Sequence, residues 1–141
     1  MCIRDRQLID DDMAAFSGVI SAYKMPKSTA VESESRSAAI STASVQAAEV
    51  PARVADGAAT VVDLAEKLLP VANPNVISDV AAAADAARAA ATTARVNVEI
   101  NLSSIADAST RASLVARIDG VDAIAARADA ITDLVRKQLT A

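Results

Sequence analysis

Histidine is absent from this chain, and cysteine occurs once, at Cys2. Those two gaps exclude a Ser-His-Asp set, an intramolecular disulfide and a thiolate zinc site. Any metal would need carboxylates alone, and any acid–base chemistry falls to Asp, Glu, Lys, Arg or Tyr. Aromatic residues are nearly missing too: Phe16 and Tyr23 stand alone, with no tryptophan. Three glycines and four prolines are far too few for a turn-rich β protein. Apolar runs are short and broken by charge, so no segment can span a bilayer. Met1 to Arg6 lack the apolar stretch of a secretory signal, and the expected compartment is the cytoplasm. Neither a P-loop nor a dinucleotide fingerprint occurs.

What is present is alanine. Hydrophobic residues make up 52% of the 141, and nearly half of them are this strong helix former of small volume. A core built so needs helices that approach closely, since few large side chains fill gaps. The 14 basic and 18 acidic residues are well mixed, for a net charge of −4. No basic stripe marks a nucleic-acid surface. The length suits one domain or a large piece of one. The expected fold is all-α, a bundle of long, mainly antiparallel helices.

Four helical segments are legible. The first runs from about Gln7 to Tyr23 and stops before Pro26. Its apolar stripe, Leu8, Phe16, Val19 and Tyr23, holds Asp12 in its middle. Thr29-Ala30-Val31-Glu32 reads as a capping box opening a second helix to about Leu69, bent at Pro51. Two helices meeting at Pro51 is the competing division. Asn75 is the expected N-cap of a third helix ending near Asn101. The fourth starts after a turn at Ser103–Ser109 and continues almost to the C-terminus, with Leu114, Ile118, Val121, Ala125, Ala128, Thr132, Val135 and Leu139 on one stripe.

Two places could carry chemistry. Wheel arithmetic sets Asp79, Ala83, Ala86, Ala90, Asn97 and Asn101 on one face of the third helix, with small residues between polar ends. That face reads either as a satisfied polar contact between helices or as part of a ligand site, and Asp79 also suits a helix start. Asp12 within an apolar stripe is suited to general acid–base work if desolvated, or is simply solvated if the helix frays there. Lys24, Lys27 and Arg36 flank the first loop, where an anionic ligand could meet them.

The segments Asp12-Met13-Ala14-Ala15-Phe16 and Ala22-Tyr23-Lys24-Met25-Pro26-Lys27 resemble the Asp-x-x-Ala-Phe…Ala-Tyr/Phe-x-Leu-Pro-Lys stretch of the cyclodeaminase/cyclohydrolase family. Arg36 to Ile40 and Ala48-Glu49-Val50-Pro51 continue the resemblance in order. Asn73-Pro74-Asn75-Val76-Ile77-Ser78-Asp79 is similar to the family's Asn-x-Asn-x-x-Ser-Asp. Asn97-Val98-Glu99-Ile100-Asn101-Leu102, followed by Ile105 and Asp107, is similar to its Asn-Val-x-Ile-Asn-Leu…Ile-x-Asp. The resemblance covers about Leu8 to Asp107, and the last helix fits by pattern only. A Gly-rich segment and a following helix, found near the start of family members, are absent. Val80-Ala81-Ala82-Ala83 stands where the family tends to have Ala-Gly-Val-Ala.

The resemblance implies one-carbon chemistry on a tetrahydrofolate substrate, by a formimidoyltetrahydrofolate cyclodeaminase or a methenyltetrahydrofolate cyclohydrolase, with no bound prosthetic group. It points to Asp79 as the proton-transfer residue or the stabiliser of the cationic amidine, with Asp12 assisting. Asn73, Asn75, Ser78, Asn97 and Asn101 would hold the pterin or shape the site, and Lys27 and Arg36 would attract the glutamate tail. A homodimer is implied, with a formiminotransferase as a further partner, and with neither nucleic acid nor membrane. Met1-Cys2-Ile3-Arg4-Asp5-Arg6 resembles a translated transposon-end sequencing adapter, with an ordinary N-terminus as the alternative. On the adapter reading, residues 7–141 are the C-terminal part of a single domain, inactive alone. The competing function is an alanine-rich helical scaffold, which the interrupting prolines disfavour.

Overall fold

A computed structural model describes the backbone of residues 2–140 and the side chains of residues 6–140. Most of the adapter-like stretch, the Cys2 side chain included, therefore lies outside the described side chains. The described residues form five α-helices: α1 (Cys2–Tyr23), α2 (Ala30–Leu68), α3 (Ile77–Leu102), α4 (Ala108–Ile118) and α5 (Val121–Thr140). No strand occurs among the described residues, as expected for an all-α bundle. None of the described helices is long and apolar enough to cross a membrane.

The capping box forms as read: Glu32 N donates to Thr29 Oγ1 at 3.2 Å, and the Glu32 carboxylate accepts from Thr29 N at 2.9 Å. Helix α2 is one continuous element through the buried Pro51, so the division into two helices does not hold. Asn75 does not cap α3. Asn73 instead caps the single 3-10 turn, Pro74–Val76, that precedes α3, its Oδ1 accepting from Asn75 N at 3.0 Å, and α3 itself has no side-chain cap. The expected fourth helix is two helices separated at Asp119–Gly120, where glycine is the poorest helix former after proline. Their stripe carries across the break, with Leu114, Ile118, Val121, Ala128, Ile131 and Val135 buried.

The core is an alanine seam. Ala48, Ala52, Ala55, Ala58 and Ala65 of α2 pack with Ala84, Ala87, Ala91 and Ala94 of α3 around Val62 and Val98. Methyl-sized side chains let these helices approach closely. The buried face of α3 is thus the neighbour of the face read from the sequence: Asp79, Ala83 and Ala86 are exposed. Alanine occupies so many positions of α3 that several faces satisfy a small-residue period.

Helix α5 runs antiparallel to α3, fixed by Arg95–Asp122 at 2.6 Å, Arg88–Asp129 at 2.8 Å and Thr132 donating to Asp85 at 2.9 Å. Arg117 of α4 reaches Glu49 and Asp56 of α2, both at 2.6 Å. Burial presses the Arg117 pKa down, but its bonds to Asp56 and Glu49 outweigh that and raise it. Arg127 of α5 bonds Glu66 and Asp63, which raise its pKa, and the same Arg127 bond lowers that of Glu66. These pairs fix the order of helices and leave one side of the α2–α3 pair for α1.

Candidate active site

Helix α1 meets α2 through small residues. Ala15 and Ala22 are its buried apolar positions, while Phe16 and Tyr23 are exposed. The expected packed stripe of Leu8, Asp12, Phe16, Val19 and Tyr23 is therefore rotated: two aromatic rings cannot enter a contact spaced for alanine. Two ties hold α1 near its ends. Arg53 pairs with Asp11 at 2.8 Å. Arg36 donates to the Tyr23 carbonyl from Nε at 3.3 Å and Nη2 at 3.1 Å.

Because α1 and α3 both pack on α2, a groove runs between them with α2 as its floor. It comprises two adjoining hollows of about 700 and 390 Å³, each within the range of roughly 300–1,000 Å³ common for ligand sites. Leu8, Met13, Val50, Pro51, Val54 and Ala94 give the larger one apolar walls. Phe16, Tyr23, Ser44, Ala47 and Asn101 line the smaller. Asp12 of α1 and Asn97 of α3 line both and mark their junction.

The groove has a defined set of polar atoms. Asp12 offers a carboxylate on an exposed side chain, not within an apolar seam as the stripe implied. Asn101 Nδ2 donates to the Asn97 carbonyl at 2.8 Å, which fixes the Asn101 amide and leaves its Oδ1 as an acceptor. Pro51 has no N–H, so the Ala47 carbonyl lacks its usual helical donor, and both residues line the groove. Ser44, 2% exposed, is the one buried polar residue among those described. Sequence reasoning missed it: a lone serine among Ala43, Val45 and Ala47 carries no signal until the groove is seen.

The residues expected from sequence divide into two groups. Asp12, Asn97 and Asn101 come together in the groove. Asn73, Asn75, Ser78 and Asp79 do not: they are exposed at the other end of α3. Asp79 precedes Ala89, the first groove residue of that helix, by ten residues, about 15 Å of helix. Lys27 is exposed on the loop after α1. Arg36 is engaged in holding the end of α1. Asp107, part of the last family-like stretch, caps α4. Hydrogen bonds from the Ser109 hydroxyl and from Thr110 hold its pKa down at about 2.

Among the described residues no cluster of three or more carboxylate or thiol side chains could hold a metal ion. The arrangement itself suits an organic ligand: long apolar walls, one carboxylate at the midpoint and amides across from it. It is a helical bundle with a groove of ligand-site size, not a continuous heptad scaffold. The sequence profile of the formiminotransferase-cyclodeaminase family matches residues 4–120, and the chain belongs to that family.

Two relatives show the same likeness. The methenyltetrahydrofolate cyclohydrolase of Methylorubrum extorquens is 41% identical over 76 residues, which are 54% of this chain and 36% of that protein. The crystal structure of formiminotetrahydrofolate cyclodeaminase from Thermotoga maritima superposes with a TM-score of 0.71 at 30% identity, covering 95% of this chain and 61% of that one. The chain thus spans less than two thirds of either relative.

Proposed function

We propose that the groove binds a tetrahydrofolate derivative and that the protein acts on its one-carbon unit, as a cyclodeaminase or a cyclohydrolase. The observation that carries this reading is the position of Asp12, opposite Asn97 where two apolar hollows meet. Family membership supplies the substrate class.

In the deaminase direction, N10 attacks the formimidoyl carbon and gives up its proton. The amidine nitrogen gains one and leaves as ammonia, and the methenyl bridge remains. In the hydrolase direction, water attacks the methenyl carbon and loses a proton; the hydroxyl so formed loses its second proton as the C–N5 bond breaks and N5 takes one, leaving the 10-formyl group and one proton released. Each route takes a proton from the nucleophile and returns one to the leaving nitrogen. A single carboxylate at the reacting carbon can do both. We assign that role to Asp12. Asn97 and the Oδ1 of Asn101 orient the ligand, and the apolar walls hold it against the carboxylate.

Asp79 lies too far along α3 to serve this groove in its own subunit, and its charge suits the first turn of that helix. Asn73 has its own role at the preceding turn. We further propose that residues 7–141 belong to a longer single-domain chain that works as a cytoplasmic homodimer, with a formiminotransferase as a further partner. The exposed apolar side of α1, Ile9, Met13, Phe16, Ile20 and Tyr23, and the partial coverage of both relatives support the longer chain.

The test is an assay of the chain joined to the coding sequence upstream of it in the source DNA, hereafter the restored protein. It is given 5-formimidoyltetrahydrofolate and methenyltetrahydrofolate in turn, and the methenyl chromophore is followed. Turnover of either supports the reading and decides between lyase and hydrolase. Turnover of neither by folded protein rejects it.

A further inference from the structure

Helix α2 presents two different faces beside α1. Val50, Pro51 and Val54 line the groove. Glu49, Arg53 and Asp56 follow one another at intervals of four and three residues, so they share another face of α2. The two acids both bind Arg117 of α4. Arg53 reaches the other way and pairs with Asp11 of α1 at 2.8 Å. A chain of charge therefore runs from α4 across α2 to α1.

Asp11 stands where it can set the rotation of α1. It lies four residues before Ala15, on the face that α1 turns to α2. Asp12 comes next, about 100° round the helix axis, and lines the groove. Fixing Asp11 on Arg53 therefore fixes the direction in which Asp12 is presented.

Arg53 has other partners within reach. Glu49 lies one turn before it and Asp56 one turn after, at spacings that suit ion pairs along one helix. Asp11, Glu49 and Arg53 border one small hollow, and Arg53 and Asp56 border another. Both acids are taken by Arg117, through separate guanidinium nitrogens at 2.6 Å each, which leaves Arg53 to Asp11. Arg117 is 27% exposed against 44% for Arg53, so its end of the chain is the less screened. Without Arg117, the carboxylates of Asp11, Glu49 and Asp56 would share the Arg53 guanidinium alone. Arg53 would be drawn back along α2, and Asp11 would meet two uncompensated like charges.

We propose that Arg117 is a positioning residue for the groove. By holding Glu49 and Asp56 it directs Arg53 to Asp11, and through that pair it keeps Asp12 turned to the junction of the two hollows. The effect on turnover rests on the role given to Asp12, whereas the placement of α1 does not.

Hydrogen–deuterium exchange of the restored protein, read by mass spectrometry over residues 8–16, tests the placement without substrate. Arg117→Ala should speed exchange there about twofold to fivefold, the worth of an exposed ion pair. Adding Glu49→Gln and Asp56→Asn should return it to the parent rate, although α4 still lacks its arginine. Asp11→Asn should speed exchange as Arg117→Ala does, and the two together should do no more than either. Residues that share no partner would simply add. Turnover should follow the same order. Arg117→Ala should lower kcat about tenfold or more, since misplacing a reacting group by about 1 Å costs about 10²-fold, and the triple variant should recover it.

If the triple variant exchanges as fast as Arg117→Ala, or the Asp11 and Arg117 effects add, Arg117 only docks α4 and the inference is overturned. Exchange in the expected order with kcat unmoved would also overturn it, because α1 would then be held without positioning Asp12. A parent protein that turns over neither folate rejects the folate reading alone, since the exchange pattern decides the link from Arg117 to α1 by itself.

Discussion

Two nitrogens of Arg36 donate to the Tyr23 carbonyl, at 3.3 and 3.1 Å, while the guanidinium carbon sits 5.4 Å from the centre of the Tyr23 ring. One side chain of α2 thus closes the last turn of α1 and steadies the ring at the groove wall. Arg36→Ala should lower unfolding free energy by about 1–2 kcal/mol, the sum of a modest net hydrogen bond and an exposed cation–π contact. Arg36→Lys should recover only part of this, because an ammonium lacks the planar fork. Urea denaturation measures both. A rise in KM with unchanged stability would instead mark Arg36 as a substrate cation.

The α2–α3 seam leads to a contrast between two alanines one helical face apart. Ala91 is fully buried in the seam, whereas Ala86 is exposed. Ala91→Leu should cost about 1–3 kcal/mol or more through overpacking. Ala86→Leu should stay within about 0.5 kcal/mol, as surface changes do. Thermal melts of the two variants decide which face of α3 is packed; equal losses would contradict the seam described here.

Asp107 supplies a pH dependence. Its folded pKa is about 2 against an ordinary 3.8, lowered first by the Ser109 hydroxyl and then by Thr110. A depressed carboxylate adds stability that is full above the unfolded value and is lost as pH falls through the folded one. Asp107→Ala should therefore lower Tm at neutral pH, and the gap to wild type should narrow as pH drops from 3.8 toward about 2. Asp107→Asn should keep most of the cap. Melts across that range check it, and a gap independent of pH would remove the charge from the account.

How much was legible in the sequence depended on how local the signal was. Thr29 and Glu32 announce a helix start because the capping box is a contact three residues long. The last stripe, Leu114 to Val135, was readable because large apolar residues stand out against polar neighbours. The packed face of α3 was not: with alanine at nine of the eleven positions from 81 to 91, period alone fits Ala86 as well as Ala87. The face of α1 was misread for a related reason, since rings were given the packed side and the small Ala15 and Ala22 hold it. Asp12, Asn97 and Asn101 were candidates from the sequence, but their grouping along one groove, apart from Asp79, needed the third dimension. Ser44 and the Ala47 carbonyl became visible only as parts of a groove.

Ser44 sits in that groove with almost no exposure, so its hydroxyl can be tested against the packing that surrounds it. Ser44→Ala should leave Tm within a few degrees and weaken 5-formyltetrahydrofolate binding, since a lost neutral hydrogen bond is worth about 0.5–1.5 kcal/mol. Calorimetric titration gives the second number. Unchanged affinity would make Ser44 a packing residue only.

The central claim is that Asp12, not Asp79, moves protons at the reacting carbon. Steady-state kinetics of restored protein carrying Asp12→Asn or Asp79→Asn test it most directly, each beside a thermal melt. Asp12→Asn should lower kcat by about 10²–10⁴-fold, the usual worth of a positioned general acid–base group, with the fold intact. Asp79→Asn should cost only the fraction of about 1 kcal/mol that a first-turn charge contributes and leave turnover near normal. The reverse pattern, a loss of kcat at Asp79 with Asp12→Asn active, would contradict this account of the site.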